Sequence, residues 1–286
     1  VTAPARGPAG RGRLVVVGTP IGNLGDLSPR AVDVLAEADL IACEDTRRTR
    51  QLLSHGGVSA GSRLVAVNDH NEAAEVRRVL ARLDAGDTVA VVSDAGMPAI
   101  SDPGERLVAA AAAAGHEVQV VPGPSAALAA LVVSGLPTAR FCFEGFLPRR
   151  GRVRAQRLAD IARERRTTVL FEAPHRVRET VSDLLAACGP LRPVAVAREL
   201  TKVFEDVWRG TLAGAVEHLA ASEPRGEYVL VVGGAPPRAE PEEAEVESAL
   251  RARLDEGADK RSAIAEVAAA LDVPKRRVYD VAIRLP

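Results

Sequence analysis

The chain has 286 residues, 47% of them hydrophobic and 26% charged, with a net charge of −1 at pH 7. That balance excludes an intrinsically disordered chain, and the length allows two domains with cores of their own. No apolar run approaches the ~20 residues that a helix needs to cross a bilayer. Aromatic residues make up only 3%, so Val, Leu, Ile and Ala must fill the interior. Cys43, Cys142 and Cys188 show neither disulfide-framework nor zinc-ligand spacing. A reducing cytoplasm is therefore expected, with no metal and no membrane.

Residues 1–12, rich in Pro, Gly, Ala and Arg and without the apolar core of a signal peptide, read as a flexible leader. Arg13-Leu14-Val15-Val16-Val17-Gly18 reads as the first strand. After a loop over 19–27, Ser28-Pro29 opens a helix with Ser as N-cap and Pro at the first helical position. Apolar runs at 40–43, 64–67, 88–92 and 117–121 alternate with helical segments, which predicts right-handed βαβ units on a largely parallel sheet over 13–136. The fourth run enters the long loop 93–104, Ser-Asp-Ala-Gly-Met-Pro-Ala-Ile-Ser-Asp-Pro-Gly. The fifth enters Pro122-Gly123-Pro124-Ser125-Ala126, which opens another helix. Loops at the carboxyl ends of strands are where open α/β sheets bind ligands.

Turn residues at Gly135-Leu136-Pro137 mark a boundary, and a second α/β domain is expected over 137–235. It begins with Phe141-Cys142-Phe143-Glu144-Gly145-Phe146-Leu147-Pro148, continues through an arginine-laden helix near 153–166, and has a strand ending in Phe171-Glu172-Ala173-Pro174-His175-Arg176. Runs at 194–200 and 203–209 are close enough to pair antiparallel, so this sheet is expected to be mixed. Five acids without a base over 240–247 read as part of an acidic linker, 236–260. The last segment, 261–286, has helical periodicity broken at Val273-Pro274 and reads as a small helix-turn-helix-like extension.

The first loop departs from the dinucleotide fingerprint. Gly18, Gly22 and Gly25 are spaced G-x-x-x-G-x-x-G, and Pro20 takes the place of the second glycine. The loop is also too long to present the next helix to a pyrophosphate. No G-x-x-x-x-G-K-[ST] phosphate loop occurs. A nucleoside ligand without phosphates suits these loops better, and S-adenosylmethionine is such a ligand. A nicotinamide dehydrogenase is the poorer alternative.

Taken together, Val17 to Leu27, Cys43-Glu44-Asp45-Thr46-Arg47, the 93–104 loop, Pro122 to Ala126, Gly145-Phe146-Leu147-Pro148-Arg149 and Phe171 to Arg176 resemble one family. It is the bacterial small-subunit ribosomal RNA cytidine 2′-O-methyltransferases I, of the tetrapyrrole-methylase-like class (class III methyltransferases). The resemblance implies a two-domain α/β enzyme, usually a homodimer, that binds S-adenosylmethionine between its domains and acts on 16S ribosomal RNA, within the 30S subunit. It implies cofactor contacts from Thr19, Pro20 and Ile21, from Asp94, Ala95 and Met97, from Ser125 and Ala126, and from Phe171, Ala197, Gly226 and Glu227. Where the wider class has Gly-Asp-Pro, this chain has Ser93-Asp94-Ala95.

For a ribose hydroxyl, a base or acceptor should assist as the proton leaves. Glu44, Asp45, Glu172 and His175 end strands and are the candidates, with Glu199 beside them. Arg47 and Arg176 are candidates to hold RNA phosphates. Residues 140–166 carry nine arginines against three acids, so Arg149, Arg150, Arg152 and Arg154 join that set. The alternatives are a tetrapyrrole or other small-molecule methylase of the same fold and a non-catalytic nucleic-acid-binding protein.

Overall fold

The computed structural model describes residues 12–68, 71–237 and 241–285. The expected leader, apart from residue 12, lies outside them. Chain contacts separate two compact units at Ala235/Pro236, and each is described by itself.

The first unit contains two sheets of five strands each. In the first, β1 (Arg13–Val17), β2 (Leu40–Cys43), β3 (Leu64–Ala66), β4 (Thr88–Val92) and β5 (Glu117–Val121) are ordered β3-β2-β4-β1-β5. Every pairing is parallel. β1, β2 and most of β4 are buried on both faces, which is why they read as continuous apolar runs rather than alternating ones. Helices α1 (Pro29–Glu37), α2 (Thr46–His55), α3 (Glu72–Asp84) and α4 (Glu105–Ala113) supply the crossovers. Because the strands are parallel, the loops after β2, β4, β1 and β5 all emerge at one edge, in that spatial order.

Helix α5 (Ala126–Val133) then carries the chain to the second sheet. Its Ala127, Ala130 and Leu131 pack with Val169, Ala195, Ala197, Val229 and Val231 of that sheet. Leu128 and Val132 on its other side are exposed. The second sheet is ordered β6-β7-β10-β8-β9, from β6 (Phe141–Phe146), β7 (Thr167–Glu172), β8 (Pro193–Arg198), β9 (Asp206–Thr211) and β10 (Tyr228–Val232). β6 and β7 are parallel, whereas β10 runs antiparallel to β7 and β8, and β8 to β9. Tyr228, the first residue of β10, therefore stands opposite Glu172 and Arg198, the last residues of β7 and β8. Helices α6 (Arg152–Arg163), α7 (Val177–Cys188) and α8 (Leu212–Ala220) complete this half, with Val177, Val181, Leu184, Leu212 and Ala215 buried in its core.

The second unit is a trio of helices, α9 (Glu243–Asp255), α10 (Lys260–Leu271) and α11 (Lys275–Ala282). The acidic stretch expected as linker is largely helix α9. Its Val246 and Leu250, one turn apart, are fully buried against Val267, Val278 and Val281. Acids on the solvent face of a helix leave the apolar stripe on the other face intact. The break at Val273-Pro274 is the α10–α11 turn, entered through Asp272 in the left-handed conformation (φ 53°).

Candidate active site

The three loops at the β4-β1-β5 edge are fastened to one another by backbone contacts that leave no room for side chains. A Cβ on Gly18 would lie 2.6 Å from Gly123 Cα and 2.7 Å from Met97 Sδ, so the loops after β1 and β5 touch only because both residues are glycine. Thr19 N–H donates to Gly96 O at 2.9 Å, and Gly96 N–H donates to Thr19 O at 3.2 Å. The Thr19 hydroxyl is buried between Ser93 O and Gly96 O, at 3.2 and 3.3 Å. The far end of the 93–104 loop is held by Glu72, whose Oε1 accepts from the N–H groups of Gly104 and Arg106, both at 3.0 Å. This buried carboxylate takes the N-cap role for α4, whose own cap residue, Gly104, has no side chain to offer.

Asp94 ties this loop to α2: Oδ1 accepts from Asp45 N–H at 3.1 Å, and Oδ2 faces Arg48 Nε at 3.5 Å. Burial pushes its carboxyl above the ordinary value, against the Asp45 hydrogen bond and the Arg48 charge. A raised pKa in the fold means that stability is greatest below the unfolded value and falls as pH rises through the folded one. Asp94→Asn keeps an acceptor for Asp45 N–H and removes that loss. The variant is expected to melt above the parent at neutral pH, with the advantage vanishing toward pH 3; melting curves across that range test it. A lower melting temperature at pH 7 would mean that the Arg48 pairing outweighs desolvation.

From the second sheet come the ends of β7 and β8 and the start of β10. Phe171 packs edge-on against Phe143 and Phe146, with ring centroids 5.0 and 5.7 Å away. Glu199 N–H donates to Glu227 O at 3.0 Å, and the Glu199 carboxylate accepts from Glu227 N–H at 2.9 Å. Lys202 reaches between Glu199 (2.8 Å) and Glu227 (2.9 Å). Its side chain lies across Gly22, where a Cβ would come within 2.5 Å of Lys202 Cγ. Burial works against the Lys202 ammonium, yet the bonds to the two carboxylates hold its pKa above the ordinary value. The Lys202 hydrogen bond holds Glu199 below its own, against partial burial.

Among the described residues, five other than glycine have positive φ, and four of them lie in the two loops that meet here: Ala99 (66°) and Ser101 (62°), Glu199 (50°) and Thr201 (67°). Such conformations persist where surrounding contacts dictate them, and they gather at functional sites.

Between the two strand edges lie two cavities. The first, of about 300 Å³, is mostly apolar: Ile21, Met97, Ile100, Ala126, Phe146, Phe171, Leu200 and Val229 line it, with Ser101, Asp102, Ser125, Glu172, Glu227 and Tyr228 as its polar members. The second, of about 270 Å³, is the more polar of the two, with Thr19, Arg48, Thr49, Gln51, Asp94 and Lys202 in its wall beside Pro20. Ile21, Ala95 and Glu227 line both.

Of the cofactor candidates, Ile21, Ala95, Met97, Ser125, Ala126, Phe171 and Glu227 line the apolar cavity, and Thr19, Pro20 and Asp94 only the polar one. Ser125 also caps α5. Ala197 and Gly226 line neither. Ala197 is buried in the core between α5 and the second sheet, and the space before Gly226 is filled by the Glu199 carboxylate.

Three of the catalytic candidates, Glu44, Asp45 and His175, lie outside both cavities. Asp45 N-caps α2, and hydrogen bonds from Arg47 lower its pKa to about 2, which makes it a weak base. His175 is exposed and outside both cavities. Glu172 borders the apolar cavity, but its oxygens accept from the Thr180 hydroxyl (2.6 Å) and Ala173 N–H (2.9 Å) and face Arg176 (3.4 Å).

Two of the phosphate candidates are engaged within the protein. Arg154 is buried, donating to Asp183, Pro148 O and the Thr180 hydroxyl, and Arg176 donates to Leu147 O while facing Glu172. Arg47 is exposed but paired with Asp45 at 3.0 Å. Arg149, Arg150 and Arg152 are exposed around the β6–α6 turn, with no acidic partner among the described residues. Lys202 and Arg48 escaped sequence reasoning. For Lys202 a signal existed: the chain has three lysines, Lys202, Lys260 and Lys275.

Residues 13–216 match the tetrapyrrole (corrin/porphyrin) methylases. The ribosomal RNA small subunit methyltransferase I of Synechocystis sp. is 45% identical over 276 residues, covering 96% of this chain and 98% of that protein. The protein of the same name from Xylella fastidiosa is 47% identical over 272 residues, covering 94% and 98%. Among solved structures, a uroporphyrin-III C-methyl transferase from Thermus thermophilus, complexed with S-adenyl homocysteine, superposes with a TM-score of 0.54 at 23% identity. It covers 78% of this chain and 97% of its own.

Proposed function

Because the chain belongs to the tetrapyrrole (corrin/porphyrin) methylase family, we propose that it methylates RNA of the small ribosomal subunit, at a cytidine ribose 2′-oxygen, with S-adenosylmethionine as donor. The observation that carries this reading is the pair of adjoining cavities, one apolar and one charged, which share Ile21, Ala95 and Glu227. The donor is itself two-sided, an adenosine joined to a charged amino acid. Met97, Ala126, Phe171 and Val229 suit its apolar part, and Asp94 in the adjoining cavity suits a cationic group. At about 300 Å³ the apolar cavity stands at the lower end of small-molecule sites. When bound, S-adenosylmethionine supplies a methyl group on a sulfonium, open to in-line displacement.

The protein's part is alignment and charge. The polar cavity receives the ribose. Lys202, held as an ammonium, offsets negative charge developing on the acceptor oxygen, and Glu227, which borders both cavities, takes up the hydroxyl proton. The strained backbones at Ala99, Ser101, Glu199 and Thr201 hold these groups at fixed separation. Arg48 and the exposed Arg149, Arg150 and Arg152 hold RNA phosphates. Replacing those last three by serine is expected to reduce the slope of log affinity against log salt by about 2, since each phosphate contact contributes roughly 0.7–0.9. A salt titration of RNA binding measures it, and an unchanged slope would remove them from the interface.

The enzyme works as a homodimer, for which edge strand β5 with exposed Val118 and Val120 and helix α5 with exposed Leu128 and Val132 offer an apolar face. No helix among the described residues is long and apolar enough to cross a membrane, and an RNA substrate calls for a cytoplasmic enzyme. Transfer of tritium from labelled donor to small ribosomal subunits, protein-free small-subunit RNA and a porphyrin precursor tests the function. Label in RNA, removed with the 2′-O-methylated cytidine on digestion, is the expected result. Label in the porphyrin alone would overturn it.

A further inference from the structure

The β8–β9 loop, residues 199–205, does more than carry Lys202 into the polar cavity. Its base is braced: Lys202 N–H donates to Glu199 O at 3.0 Å, Glu205 N–H to Lys202 O at 3.2 Å, and Thr201 N–H to the Glu205 carboxylate. Glu199 and Thr201 hold left-handed backbone conformations within it. The Lys202 side chain turns inward across Gly22. The next two residues, Val203 and Phe204, are 92% and 70% exposed.

An isolated exposed aliphatic residue needs no explanation. An exposed aliphatic–aromatic pair on a braced tip is different, because the bracing denies the loop the freedom to fold these side chains back onto the surface. The chain has only five phenylalanines. Phe143 and Phe171 pack in the edge-on cluster, and Phe146 lines the apolar cavity. Phe204 touches none of this and lines neither cavity.

We infer that Phe204 is a stacking platform for an unpaired RNA base next to the nucleotide whose ribose enters the polar cavity, with Val203 extending its apolar surface. The inference rests on the reading of RNA as substrate and adds how the strand is held. A ribose hydroxyl within a stacked strand is poorly accessible, and an unstacked base needs a replacement surface. Aromatic side chains supply one, and they do so for any base because every base has a π face. The charges around the tip favour a base over a phosphate there. Glu205 and Asp206 follow Phe204 directly and are exposed, so they repel the backbone, while Arg48 and Lys202 attract it toward the cavity. The strand thus has its phosphates on one side of the loop and a base face on the other.

The test uses the full chain with Phe204→Ala, Phe204→Leu and Phe204→Trp. Methylation kinetics on RNA, donor affinity by calorimetry, melting temperature and sedimentation are measured for each. Ala and Leu are expected to raise the RNA KM about tenfold, with the loss falling on KM rather than kcat and with donor affinity, melting temperature and sedimentation unchanged. Trp is expected to restore KM and to show fluorescence quenching by RNA beyond that of the parent. Leu performing as well as Trp would overturn the platform, since an apolar contact would then suffice. A shift in sedimentation for Ala with KM unchanged would overturn it in favour of a contact between copies. The parent is the control for the underlying reading: a parent that methylates no RNA refutes the proposed function, whereas a parent that does, matched by the Ala variant, refutes only the platform.

Discussion

Glu227→Gln is expected to lower kcat about 100-fold, the lower end of what a positioned general base contributes. Glutamine keeps the length of the side chain and an oxygen for Lys202, which now donates to Glu227 at 2.9 Å. The backbone pairing of Glu227 with Glu199 is untouched by the change. What disappears is the ability to take up a proton at the one carboxylate that lines both cavities among the described residues. The effect should therefore fall on kcat, with donor affinity and melting temperature close to the parent's. His175→Ala is the matched control, because the imidazole is exposed and outside both cavities, and its kcat should equal the parent's. Retention of full kcat by the glutamine variant would mean that the proton leaves directly to water and that alignment alone carries the reaction.

The sites of the loops were legible in the sequence because parallel strands send all their carboxyl ends to one edge. Once the apolar runs at β1, β4 and β5 were recognised, residues immediately after them had to lie together, and Ile21, Ala95, Met97, Ser125 and Ala126 do line one cavity. Phe171 and Glu227 reach it from β7 and β10 because those strands run antiparallel. What each polar atom does there was not legible. The Thr19 hydroxyl is consumed by carbonyls more than seventy residues away, and Arg154 by Asp183. Such pairings depend on how elements pack, and an exposed arginine and a buried one look the same in a sequence. Lys202 was hidden for a related reason. The backbone that turns it into the cleft relies on positive φ at Glu199 and Thr201, residue types that give no hint of it. Helix α9 was missed because five acids outweighed a stripe of two buried residues, Val246 and Leu250.

Glu172→Ala tests whether a strand-end carboxylate beside the cavity belongs to the chemistry or to the scaffold. Its side chain is fully buried, and that of Arg176 facing it is only 14% exposed. Glu172 Oε2 accepts from Thr180 Oγ1 at 2.6 Å, and the same hydroxyl accepts from Arg154 Nη2 at 3.0 Å. Removing the carboxylate leaves Arg176 without its acid and the Thr180 hydroxyl without its acceptor, while Arg154 keeps Asp183 at 2.7 Å. Breaking a buried pair from one side costs about 3–5 kcal/mol, against a total stability of roughly 5–15 kcal/mol for a domain. Urea unfolding should show a loss of that size, with folded variant at low temperature retaining a kcat within severalfold of the parent's. Glu172→Gln separates the two roles further, since the amide keeps an acceptor for Thr180 but lacks the charge facing Arg176, so it should lose less stability than alanine. A variant with parental stability and a kcat reduced a hundredfold would return Glu172 to the reaction and displace Glu227 from it. The packing of Thr180, the Ala173 N–H and Arg176 around one carboxylate argues for the scaffold: both of its oxygens are already engaged within the protein.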